Sequence, residues 1–199
     1  MITKKKAIYG LLSCFLVLAL GFAYKNSLSA DSNIGEFIST KKIEAKINGK
    51  QETLSIEKYQ KGDDYQYLLT KKHFLGQKKQ IELSGFEDDI SVCDKESGMT
   101  DTICLAGNVG VHSQNIELIE YIEGRFSKLS FFDQSGVQND NVYSDVPYYN
   151  FEKNGENIFL VVDQRNYDTD PLISSIRYRY KKANTGFIFD ATENITYNN

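Results

Sequence analysis

The sequence predicts an all-β protein: an antiparallel meander of about ten short strands, sandwich or barrel-like, following an N-terminal hydrophobic helix. Three observations predict it. Short runs alternate apolar and polar residues, and turn residues separate them at intervals of about 8–12 positions. Beyond the first thirty residues, no long segment repeats its apolar positions with the helical period. The aromatic residues are 13 Tyr and 12 Phe with no Trp, a mixture that favours strands. With 199 residues, 41% apolar, 25% charged and two prolines, the chain can bury a core. That composition excludes a disordered, collagen-like or polytopic membrane protein.

The first element is the hydrophobic helix. Lys4, Lys5 and Lys6 precede an uninterrupted apolar run, residues 7–24. Positive charge followed by an apolar stretch is the layout of an export signal. Three continuations compete. Leu28 and Ala30 suit a signal-peptidase site, which makes residues 1–30 a cleaved signal peptide. As a helix, residues 7–24 rise about 27 Å and would serve as an uncleaved membrane anchor. Leu11-Leu12-Ser13-Cys14 resembles a lipidation box, although a further apolar run follows it. In each case residues 31–199 form a single all-β extracytoplasmic domain, periplasmic or secreted. Any membrane contact runs through residues 7–24.

Charge follows from that boundary. The whole chain carries −4 at pH 7. Residues 1–30 hold four of the 23 bases and none of the 27 acids, so residues 31–199 carry −8. This opposes nucleic-acid binding and suits a basic protein partner.

In residues 43–60, Ile43, Ala45 and Ile47 alternate, Asn48-Gly49 follows, and Leu54 and Ile56 alternate again. Asn-Gly between alternating runs predicts a hairpin. Residues 65–72 and 77–86 continue the meander. Cys93 and Cys104 flank a polar, Gly-containing turn between strand-like segments. Such a hairpin brings two cysteines within disulfide reach, and an oxidising compartment favours the bond. Residues 115–124 and 125–133 predict another hairpin, with Ile116, Leu118 and Tyr121 inward. Residues 134–147 are polar and irregular. Residues 156–164 are the most apolar strand and are expected at the centre of a sheet. In residues 173–180, Ile176, Tyr178 and Tyr180 share one face and Arg177 and Arg179 the other. Residues 181–186 turn the chain into a last strand, and the end is expected to fray. Residues 34–39 read as helix or strand.

Little of this pattern resembles catalytic machinery. His112 and Ser113 are adjacent on an extended segment and so point to opposite faces. His73 follows two lysines, a solvated setting. Glu87, Asp88 and Asp89 are three acids in a row on a turn, not two carboxylates facing across a cleft. Two histidines do not make a zinc site.

Residues 151–162, FEKNGENIFLVV, resemble the calcium loop of FG-GAP or VCBS-type β repeats, in which oxygen ligands alternate around a sharp Gly turn. Asn154, Gly155 and Glu156 match that pattern, and Leu160-Val161-Val162 matches the strand after it. The loop is one residue short and Phe159 stands in place of the closing acid. On this resemblance Glu152, Asn154 and Glu156 are the calcium candidates; a plain hairpin turn is the alternative, with no cofactor. The aromatic strand followed by Thr185, Gly186 and Phe187 extends the similarity over about residues 115–190 to small exported β-domain proteins. Some of these are periplasmic immunity proteins that resemble lysozyme-type inhibitors. The resemblance implies an all-β fold and a protein partner.

Tyrosines crowd the C-terminal third, and tyrosine favours interfaces because it offers rigid area with a polar tip. Tyr148, Tyr149, Tyr167, Asp168 and Asp170 are the expected contact residues, with Arg177 and Arg179 pairing with a partner's acids. The functional expectation is an exported non-enzymatic protein-binding domain, an inhibitor or immunity protein against a cell-wall hydrolase. The alternative is an extracytoplasmic carbohydrate- or ligand-binding module, or an unusual hydrolase.

Overall fold

The computed structural model describes residues 34–72, 78–93, 98–99, 101–109, 113–145, 148–165 and 174–196. The chain divides between Glu36 and Phe37, and apart from Glu36, the first residue of the first strand, the sheets described here belong to Phe37–Asn199. The expected N-terminal helix lies outside the described residues, as do His73, His112, Tyr167, Asp168 and Asp170.

All regular structure among the described residues is β. The first sheet has the order β1-β2-β3-β4, with β1 Glu36–Ile47, β2 Lys50–Lys61, β3 Asp64–Lys72 and β4 Lys78–Leu83. The expected Asn-Gly hairpin is its first turn: Asn48 and Gly49 have φ of 51° and 71°, the left-handed pair that a two-residue turn requires. Residues 34–39 resolve as strand from Glu36 onward.

The second sheet is built on β5 Asp88–Val92, β6 Thr102–Val109, β7 Ser113–Ile122 and β11 Val142–Ser144, with β8 Arg125–Lys128 pairing β7. The third has the order β10-β9-β15-β14-β13-β12. Its strands are β9 Ser130–Phe132, β10 Gln138–Asn139, β12 Tyr149–Asn154, β13 Asn157–Arg165, β14 Ser174–Ala183 and β15 Gly186–Thr196.

The second sheet is the middle of three layers. Ile103, Leu105, Ile119 and Tyr121 on one of its faces join Ile43, Ile47, Leu54, Ile56 and Leu69 of the first sheet in one core. Cys104, Ala106, Ile116 and Leu118 on its other face join Phe131, Leu160, Val162, Tyr180 and Phe187 of the third sheet in a second core. A strand buried on both faces has no polar side, which is why β6 is buried from Thr102 through Gly107.

Several expectations change. None of the three sheets closes into a barrel. The described residues hold fifteen strands rather than about ten, and the longest run to twelve residues. The simple meander breaks where β9 pairs β15 in parallel. The apolar strand β13 lies one position in from the sheet edge, not at its centre. On its outward side Arg179 covers Phe159, with the guanidinium 3.8 Å from the ring centre, and Arg177 pairs with Asp163. The last strand stays paired to its end, Thr196 opposite Ser174, because β14 is long enough to satisfy its backbone.

One close contact fixes the third sheet, and a disulfide ties the second. Gly186 sits opposite Ser130 where β15 meets β9, and a Cβ there would overlap the Ser130 carbonyl oxygen. This explains the Gly in the turn-and-aromatic motif. Cys93 and Cys104 are joined, with Cα atoms 5.3 Å apart, as their spacing predicts. Their bond lies against the second core.

Candidate functional site

The third sheet presents two chemically different surfaces, one on each face. On its outward face, Asp163 of β13 stands opposite Arg177 of β14. Arg177 donates through Nε to Oδ1 at 2.8 Å and through Nη2 to Oδ2 at 3.0 Å. The Asp163 side chain is 2% exposed and that of Arg177 29%. This two-pronged pair raises the already high pKa of Arg177. Its guanidinium also lies 4.8 Å from the ring centre of Tyr148. Arg179, one register step along, reaches Glu152 at 3.5 Å and Asp190 at 3.7 Å. The two arginines expected to meet a partner's acids thus meet acids of their own chain. Tyr148 is exposed beside them, whereas Tyr149 is buried in the second core.

The calcium-like segment is a tight hairpin. Asn154 pairs with Asn157 across Gly155-Glu156, and Gly155 has φ of 60°. Glu152 turns to Arg179. Among the described residues no group of three His, Cys, Asp or Glu is placed to hold a metal ion. Glu87, Asp88 and Asp89 are all exposed, but Asp88 and Asp89 open strand β5 instead of lying on a turn. Ser113 donates to Asp145 Oδ1 at 3.0 Å.

A buried polar cluster joins the first and second sheets, and the sequence reading missed it. Glu117 of β7 is fully buried. Its Oε1 accepts from Lys128 Nζ at 2.8 Å and from the Ser84 backbone N–H at 2.9 Å. Lys128 also donates to Ser84 Oγ at 2.6 Å, and Asn115 Nδ2 donates to the Ser84 carbonyl at 2.7 Å. Burial raises the Glu117 pKa, and Lys128 only partly offsets it. The carboxylate is shut away between two layers, so it braces the sheets and meets no solute. The available signal was parity: Ile116 and Leu118 are apolar on one side of β7, Ile119 and Tyr121 on the other, so residue 117 also had to be buried.

On the inner face of the third sheet lies a pocket of about 290 Å³. It is lined by Gln164 of β13, Tyr178 and Tyr180 of β14, Phe189 of β15, and Asp133, Gln134 and Ser135. The Tyr180 and Phe189 rings are 6.4 Å apart and inclined at 82°, two walls nearly at right angles. Burial pushes the Tyr180 phenol up to about 12, helped by Tyr178 and Asp133, so it remains a neutral hydrogen-bond donor. Asp133 Oδ1 accepts from the Ser135 N–H at 2.8 Å, Ser135 Oγ at 2.7 Å and the Val137 N–H at 2.9 Å. These bonds hold its carboxylate below the usual range, so it stays charged. The pocket therefore offers aromatic faces and one carboxylate.

Comparison with known proteins adds no relative: no protein-family description, curated protein or solved structure matches this chain.

Proposed function

We propose that the chain is an exported, non-enzymatic β-domain that binds a basic protein, acting as an inhibitor of a secreted cell-wall hydrolase. The observation that carries this reading is the aromatic pocket, lined by one acid and no base. Three features support it. Residues 31–199 carry −8, which steers a cationic partner toward the domain. The Cys93–Cys104 bond suits an oxidising compartment. The buried carboxylates Glu117 and Asp163 are each ion-paired with a base of the same chain, Lys128 and Arg177, so each serves an internal pair and not an open cleft.

The test mixes the purified domain with basic wall hydrolases and follows both binding and lytic activity. The expected result is a complex at micromolar concentration that weakens as salt rises and suppresses lysis. Absence of binding at that concentration overturns the proposal.

A further inference from the structure

Resting on the reading of a basic protein partner, we infer that the pocket formed by Tyr178, Tyr180, Phe189 and Asp133 receives the ammonium group of a lysine side chain from that partner. Its lining contains no Lys or Arg, so an anionic ligand meets only repulsion from Asp133. Ring faces attract cations through their negative quadrupole, and several rings set at angles surround a charge better than one. Here Tyr180 and Phe189 stand at 82° to each other, and Tyr178 lies two residues along the same face of β14. A compact ammonium fits between perpendicular walls, whereas a planar guanidinium prefers to lie flat on one ring. On the outward face a guanidinium covers a single ring, with Arg179 Cζ 3.8 Å from the Phe159 ring centre. The chain uses the first chemistry as well: Lys58 Nζ lies 3.9 Å from the ring centre of Tyr65.

The pocket is assembled from distant segments. Parallel pairing of β15 with β9 sets Ile188 beside Phe132, and this brings Phe189 next to Asp133. The Asp133 carboxylate is fixed by its own turn, so an incoming cation does not have to order it.

Ring resonances of Tyr178 and Phe189 in the folded domain, followed by NMR, supply the readout. The added probes are n-butylammonium, n-butylguanidinium, n-butanol and methyl glucoside. The assignment expects n-butylammonium to shift both rings with a dissociation constant on the order of millimolar, weakening with salt, and n-butanol to leave them unmoved. Gln134 is an exposed turn residue, so Gln134→Lys places a positive charge at the pocket without disturbing the fold. It should weaken n-butylammonium about fivefold or more. Asp133→Asn keeps an oxygen acceptor for the turn and should weaken it by a similar factor. Equal shifts from n-butanol, preference for n-butylguanidinium or for methyl glucoside, or unchanged binding in both variants each overturn the assignment. Hydrolase binding that persists in Gln134→Lys would overturn the pocket's role and leave the inhibitor reading standing. Ammonium binding with no hydrolase bound at micromolar concentration would do the reverse.

Discussion

The two faces of the C-terminal sheet use similar residues to opposite ends. Outside, Arg177 and Arg179 lie on Tyr148 and Phe159 and are met by Asp163, Glu152 and Asp190. Inside, Tyr178, Tyr180, Phe189 and Asp133 line a space with no Lys or Arg in its lining. In the first arrangement the charges are matched within the chain, which contributes stability. The second is complementary to a charge the pocket does not contain. Aromatic and charged residues on one strand therefore do not by themselves mark a binding face; whether the charges are already matched does.

The largest effect should come from breaking the outward face. Arg177→Ala leaves the buried Asp163 carboxylate without its bidentate partner and should cost about 3–5 kcal/mol in urea unfolding. Arg177→Lys restores the charge but not both hydrogen bonds, so it should recover part of that loss. Arg179→Ala, at a more exposed pair, should cost only about 1 kcal/mol, mainly through lost cover over Phe159.

Removing the Cys93–Cys104 bond should lower stability by about 2–3 kcal/mol, because it closes a short loop. The bond packs against the core under the inner face. Reduction should therefore disturb the Tyr178 and Phe189 resonances more than those of Tyr148. Equal disturbance on both sides would show that the two faces are not independent.

A smaller effect appears at alkaline pH. The Tyr180 pKa is pushed up to about 12, above the ordinary value of 10.0. Between these values the unfolded chain releases the phenol proton and the native state keeps it, so stability falls as pH rises through that window. Tyr180→Phe should flatten this slope in unfolding curves recorded from pH 9 upward, about one pH unit below the window. A slope unchanged by the substitution would contradict the burial of this ring.

The sequence made the local parts of this comparison readable. Alternation at residues 43–56 with Asn48-Gly49 predicted the first hairpin, and the cysteine spacing predicted the disulfide. The opposite faces of Tyr178/Tyr180 and Arg177/Arg179 followed from strand periodicity. The three layers were harder to see, because a strand covered on both sides loses the alternation that reveals which side is inward. Glu117 was missed for that reason. The pocket was missed because Asp133 meets Phe189 only through a parallel pairing between segments far apart in the chain. Nothing local in either segment specifies that pairing.

The most direct measurement compares the affinity of a basic wall hydrolase for the unaltered domain, for Gln134→Lys and for Arg179→Ala. Micromolar binding that Gln134→Lys reduces about tenfold, and Arg179→Ala leaves within about twofold, is the result expected if the inner pocket is where the partner's charge enters. Loss of affinity in Arg179→Ala with none in Gln134→Lys would place the contact on the outward face and contradict it.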